Sequence, residues 1–252
     1  MVSDTHDMHK TKATMFLLAP LLLAGLGACA AGSAGSGHAT GLVVDTHGNP
    51  VAGAKILLDN TVFYASYIHG SSKADGRYRI KLHPGAWRAQ ASIKKDYNGR
   101  TYTLELHPHD NDGFSEEGAV RDFSWKLEGR TPDNEYGYYG GFIQLTTDLD
   151  FHEDLSDIEI TLTPDGPLID GSQGKTLQLR LRDHYWVDNY QIEDIPIGRY
   201  TVTATLHGDA GARALGIQDW YTRDAFAQAF RLDFNPNPGR GPKNSASIVI
   251  GY

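Results

Sequence analysis

Residues 41–93 alternate too regularly between apolar and polar side chains to be read as anything but strands joined by turns. Gly41, Leu42, Val43 and Val44 form a β-branched run. It stops at Asp45, Thr46, His47, Gly48, Asn49 and Pro50, where glycine supplies positive φ and proline cannot donate to a ladder. Residues 51–58 resume an extended pattern. A turn at Asp75 and Gly76 leads into Tyr78, Arg79, Ile80, Lys81 and Leu82, whose period of two leaves one face of the strand wet. Pro84 and Gly85 turn the chain again, and Trp87, Ala89, Ala91 and Ile93 then share one side of the next strand. Such short alternating runs, punctuated by Gly, Pro, Asn and Asp, predict an all-β fold.

The chain has 252 residues, room for one large domain or two of about a hundred residues each, and its 40% apolar and 10% aromatic residues are ample for packed cores. Its formal charge of -8 argues against nucleic acid as a partner, because neutralising phosphates requires a basic face and the Lys and Arg here are interspersed with acids. Beyond Ile93, an Asn98-Gly99 hairpin turn precedes another alternating strand over residues 101–106. The segment from His107 to Gly113 is dense in His and Asp, yet it imitates a calcium or zinc loop only in part and reads better as a solvated turn. Residues 120–127 alternate, with Phe123, Trp125 and Leu127 on one face. The following stretch, residues 131–141, has the composition of a linker, and its Tyr136, Tyr138 and Tyr139 are candidate stacking surfaces for a sugar ring.

The order Gly41, Val43, Asp45, Gly48, Pro50, Val51, Gly53, Ala54 and Ile56, followed by Asp75, Gly76, Tyr78, Ile80, Leu82, Pro84, Gly85 and Trp87, resembles the carboxypeptidase regulatory-like domain. That is the transthyretin-like (prealbumin) sandwich carried by some metallocarboxypeptidases and by many bacterial envelope proteins. The resemblance implies an accessory module and brings no catalytic residues and no cofactor.

Three further alternating runs, at residues 142–145, 158–163 and 176–181, open a second module. Within it, Gly198, Arg199, Tyr200 and the alternation that follows repeat the grammar of Gly85, Ala86 and Trp87, at a spacing of about 110 residues that indicates an internal duplication. Residues 219–229 space Trp220, Tyr221 and Phe226 in a partly helical manner. Tyr185, Trp186, Asp188 and Asn189 break the alternation and are expected in a loop at one end of the second sandwich, where an indole beside hydrogen-bonding side chains suits a sugar or a peptide.

The N-terminus carries an address. His9, Lys10 and Lys12 precede the apolar run of residues 15–28, a secretory signal too short for a comfortable membrane span. The acids and His before Met8 are foreign to such an n-region, which points to a start at Met8. Leu26, Gly27, Ala28 and Cys29 resemble the bacterial lipobox, whose cysteine is acylated and becomes the first mature residue. This accounts for a single Cys in a secreted chain. The Gly, Ser and Ala that follow make a flexible tether.

No zinc-peptidase spacing of His and Glu and no Gly-x-Ser-x-Gly elbow on a strand occurs in the sequence. Glu153, Asp154, Asp157, Glu193 and Asp194 are carboxylates of the kind any acidic protein supplies. The expected organisation is a signal peptide over residues 1–28, a tether over 29–40, a regulatory-like sandwich over 41–130, a linker over 131–141 and a second sandwich over 142–252. The expected role is that of a non-catalytic envelope lipoprotein in the outer membrane, facing the periplasm or the cell surface. It would be held to the membrane by lipid at Cys29 and would engage an envelope protein or polysaccharide; the alternatives are a carbohydrate-binding module or, further off, a hydrolase accessory subunit.

Overall fold

The computed structural model describes residues 37–132, 134, 137–183, 191–209, 211–237 and 243–252. The first half contributes β1 (His38–Val44), β2 (Lys55–Asn60), β3 (Tyr67–Ser71), β4 (Arg77–Lys81), β5 (Ala86–Tyr97), β6 (Arg100–Pro108), β7 (Phe114–Ser115), β8 (Gly118–Val120) and β9 (Phe123–Ser124). The second contributes β10 (Gly141–Thr147), β11 (Ile158–Pro164), β12 (Leu177–Arg180), β13 (Gln191–Ile195), β14 (Arg199–Gly208), β15 (Gly211–Asp219), β16 (Phe230–Asp233) and β17 (Ser245–Gly251). Short 3-10 turns at Leu155–Asp157 and Leu181–Asp183 are the helical elements among the described residues.

The two halves form two separate sheets, each curled into a sandwich, with strand orders β3-β2-β5-β6-β9-β1-β4 and β12-β11-β14-β15-β17-β10-β13. The second order repeats the first rank for rank. In both, the opening strand lies parallel to the closing one, β1 on β9 and β10 on β17, while its other edge takes an antiparallel neighbour, β4 or β13. Even the side pairings correspond: β7 joins β5 across Trp87, and β16 joins β14 across Tyr200. The protein is therefore an all-β pair of Ig-like sandwiches sharing one topology.

Trp87 and Tyr200 occupy the same place in the two sandwiches, and both are buried. Each ring also donates its one polar hydrogen to the carbonyl four residues earlier. The Trp87 indole reaches His83 O at 3.1 Å and the Tyr200 hydroxyl reaches Pro196 O at 2.7 Å. Two chemically different side chains thus satisfy one requirement, that a buried aromatic donor find an acceptor. Around them, Ile56, Leu58, Leu104 and Phe123 in the first sandwich, and Ile143, Ile160, Leu162 and Phe234 in the second, belong to one contiguous buried cluster.

Three local expectations are corrected. Residues 51–54 form a turn, and the strand begins at Lys55, because the Ser72 hydroxyl donates to Val51 O and accepts from Ala54 N. The alternating run over residues 120–127 is interrupted between β8 and β9, where the Asp122 carboxylate takes the Leu42 N–H at 2.7 Å in place of a backbone acceptor. At the same point Arg121 turns inward to pair with Asp110 at 2.7 Å, which anchors the His- and Asp-rich turn. The helical spacing over residues 219–229 folds as a turn and a β-bridge, with Asp219 accepting from Tyr221 N and Thr222 N and with Ala227 bridged to Ile217.

Candidate binding site at the junction of the two sandwiches

The β5–β6 hairpin is longer than its neighbours need, and its tip runs onto the second sandwich. The Asn98-Gly99 turn reverses it with both residues at positive φ, 47° and 75°, as the type I′ geometry of a two-residue hairpin demands. Beyond the core of the first sandwich, the Tyr102 hydroxyl donates to Phe234 O at 2.6 Å and the Arg100 guanidinium donates to the same oxygen at 2.8 Å. Tyr97 donates to Pro167 O at 2.9 Å and accepts from Arg199 N at 3.0 Å. Burial is the main reason that the Tyr102 phenol is pushed up to about 12, with Arg100 drawing it partly back.

Two further ties hold the junction. Asp194, itself at φ 62°, accepts Gly129 N at 2.8 Å and Gly140 N at 3.2 Å, so one carboxylate gathers both ends of the linker. Gly140 must be glycine, since a Cβ there would meet the Asp194 backbone at 2.6 Å. A further hydrogen bond between the two sandwiches runs from Thr46 to Asp170 at 2.7 Å. Burial pushes the Asp170 carboxyl up, but hydrogen bonds from Ser172 and Thr46 outweigh it and hold the group below the usual carboxylate range.

Beside the Asp194 tie, which holds Gly140 in its wall, lies a groove of about 320 Å³ lined by Thr103, Glu105, His107, Trp125, Tyr138, Tyr139, Gly140, Lys243 and Asn244. Tyr139 meets His107 edge-on at 5.2 Å, and Lys126 lies 5.5 Å over its ring. Arg130 covers Tyr138 at 4.7 Å. Lys243 from the second sandwich pairs with Glu105 from the first at 3.2 Å, both side chains well exposed. Asn244 donates to Thr103 O at 3.4 Å, and its Oδ1 has no partner among the described residues. Trp125, only 4% exposed, forms a wall shared with a second hollow of about 480 Å³ beside Asp45, Lys55, Lys94 and Lys95. The junction thus offers ring faces, an amide and charges of both signs, a set suited to a polar ligand with some apolar surface.

Of the residues singled out by sequence, Tyr138 and Tyr139 are brought together here. Cys29, Tyr136, Tyr185, Trp186, Asp188 and Asn189 lie outside the described residues. His107, Trp125, Glu105, Lys243 and Asn244 were not foreseen as parts of a site. The scattered carboxylates have structural occupations: Glu153 pairs with Arg213, Asp154 caps a 3-10 turn, Asp157 pairs with Arg182, and Asp194 holds the linker. Burial raises the Glu193 carboxyl, against the pull of Arg130. Among the described residues, no group of three or more His, Cys, Asp or Glu is placed to hold a metal ion.

No family model matches the chain, and no curated protein matches it in sequence. Solved structures with a similar run of strands include the TIE protein of Bacillus anthracis, at 12% identity and a TM-score of 0.34 over 86% of this chain and 34% of that one. Fervidolysin from Fervidobacterium pennivorans, a keratinolytic enzyme related to subtilisin, gives 10% identity and a TM-score of 0.29 over 86% of this chain and 30% of that one. The major pilin subunit BcpA of Bacillus cereus gives 9% identity and a TM-score of 0.25, over 85% of this chain and 99% of that one. The chain spans about a third of the length of the first two. Similarities this low are between strand-rich chains, and the architecture described above rests on this chain's own strand pairing.

Proposed function

We propose that the protein is a non-catalytic, lipid-anchored binding protein of the bacterial cell envelope, and that the junction groove holds a short segment of envelope polysaccharide. The observation that carries the reading is the convergence of Tyr138, Tyr139, His107 and Trp125 with Glu105, Lys243 and Asn244 at a junction fixed by Asp194 and the β5–β6 hairpin. Aromatic faces give area against the apolar side of a sugar ring, and the amide and charged groups orient its hydroxyls. At about 320 Å³ the groove lies near the lower end of the range for small-ligand sites, which favours a few sugar units over a folded partner. The resemblance of residues 41–93 to the carboxypeptidase regulatory-like domain supports an accessory role, and the lipobox-like run ending at Cys29 supports the anchor.

The test is a glycan array probed with the mature protein, its Tyr139→Ala variant and its Lys243→Ala variant. Specific binding lost in both variants is the expected result. Lys243 is 60% exposed, so its removal leaves the fold intact and isolates the groove. Binding unchanged in the Lys243→Ala and Tyr139→Ala proteins would place the ligand elsewhere, and capture of an envelope protein that both variants abolish would replace the sugar by a protein partner.

A further inference from the structure

The largest apolar exposure in the first sandwich lies on the loop between β2 and β3. Val62 is 66% exposed, Phe63 62% and Tyr64 fully so, with Tyr67 half-exposed at the start of β3. Three consecutive apolar side chains held out in water cost solvation that a scattered surface residue does not, and such patches mark surfaces that meet something else. The loop is rigidly built. Asn60, itself buried, accepts both Val62 N and Phe63 N at 2.9 Å through Oδ1. Asn60 N donates to Ser66 O and Thr61 N donates to Ala86 O, so the base of the loop is closed while its side chains point away.

The position of the loop says what it meets. The described chain begins at Gly37, which is bonded to Leu82 and Glu117. Leu82 adjoins His83, whose carbonyl takes the Trp87 indole, and Ala86 next to Trp87 holds Thr61. The beginning of β1 and the apolar loop are therefore at one end of the sandwich, and the Asp75-Gly76 turn, bonded to Val43, is at the other. Residues 30–36 separate Cys29 from Gly37 and reach about 25 Å when fully extended. An anchor at Cys29 keeps this end of the sandwich within that distance of the bilayer.

We propose that the loop of residues 61–66 contacts the membrane, its Val62, Phe63 and Tyr64 entering the interfacial zone of the same leaflet that holds the acylated N-terminus. The inference rests on the reading of Cys29 as the anchored residue. Aromatic and aliphatic side chains at headgroup depth are the usual currency of interfacial binding, and a second contact adds to what acyl chains alone provide. Arg79, Lys81 and Arg88 share this end with Asp59, Glu116 and Glu117 and offset them in charge, so the contact is apolar and insensitive to salt.

The experiment uses the full chain matured in bacteria and reconstituted into vesicles of phosphatidylethanolamine and phosphatidylglycerol carrying a nitroxide lipid. Acylation ties up the Cys29 sulfur, so Phe63→Cys supplies the one reactive thiol for a polarity-sensitive fluorophore, and Ala74→Cys, at the far end of the sandwich, is the control. The expected result is a blue shift and loss of emission through nitroxide quenching at position 63, unchanged by salt, and a water-like, unquenched probe at position 74. A mass spectrum of the same sample reports the acyl chains. An acylated protein whose probes at 63 and 74 behave alike overturns the loop proposal and leaves the anchor standing. If the mass spectrum shows no acyl chains, the labelling is repeated with Cys29→Ser so that position 63 again carries the one thiol, and quenching there keeps the loop and removes the anchor. A probe at 63 that is shielded equally without vesicles overturns the proposal in favour of a protein contact.

Discussion

Replacing Tyr102 by Phe should weaken the protein at neutral pH and strengthen it in alkali. The hydroxyl gives one buried hydrogen bond, to Phe234 O, which retains Arg100 as a second donor. No acceptor is orphaned, and the loss at pH 8 is that of one net hydrogen bond, about 1 kcal/mol. In the parent, the Tyr102 phenol titrates at about 12 when folded against about 10 when unfolded. Folding favours its neutral form, so this contribution is fully present below pH 10 and is lost as the pH rises through 12. The loss approaches about 2 to 3 kcal/mol, two pKa units at roughly 1.4 kcal/mol each. Tyr78 and Tyr200 are raised as well, chiefly by burial, but they remain in both proteins and cancel from the comparison. The two stability curves, taken from urea midpoints between pH 8 and pH 11.5, should therefore converge above pH 10 and cross at about pH 11. Parallel curves would refute the reasoning, since they would mean that the phenol is equally easy to ionise in the folded and unfolded states.

Trp87→Ala and Tyr200→Ala should each cost about 3 to 5 kcal/mol in urea denaturation, from the cavity left and from the freed carbonyls of His83 and Pro196. A large cost in one sandwich with almost none in the other would separate the two positions energetically. Asp194→Ala leaves the N–H groups of Gly129 and Gly140 without their acceptor and should speed protease cleavage within residues 131–139 while the sandwiches stay intact, as read by fragment masses. Cys29→Ser should yield a protein without acyl chains, because a serine hydroxyl forms no thioether; a mass spectrum of the N-terminus checks it.

The strands were readable because their signal is local. Alternation, the Asn98-Gly99 turn and the glycine before each buried ring are all contained in a few neighbouring residues. Pairing was not readable in the same way, since β1 lies beside β9, whose Phe123 aligns with Val43 across most of the first half of the chain. The junction groove was half legible. Tyr138 and Tyr139 stand out among glycines, but His107 and Trp125 carry the pattern of ordinary strand residues, and Lys243 and Asn244 come from the opposite end of the sequence. Their meeting depends on how two sandwiches dock, which no short window encodes. The loop at residues 61–66 escaped for a related reason: Val62, Phe63 and Tyr64 have the composition of a core strand, and only their exposure distinguishes them.

The parallel pairing of first and last strands fixes how each sandwich answers tension. In the second sandwich six consecutive pairs, from Phe142 with Ser245 to Thr147 with Ile250, join β10 to β17. Because the strands run the same way, a pull on the start of one and the end of the other slides them lengthwise and loads all their crosslinks together. An antiparallel neighbour pulled at adjacent ends would instead unzip one bond at a time. In the first sandwich the corresponding β1–β9 seam has two pairs, Val43 with Phe123 and Val44 with Ser124, with three more from β8 across a break at Arg121 and Asp122. A body tethered at one end and gripped at the other would give way first in the half nearest its anchor, leaving the second sandwich folded.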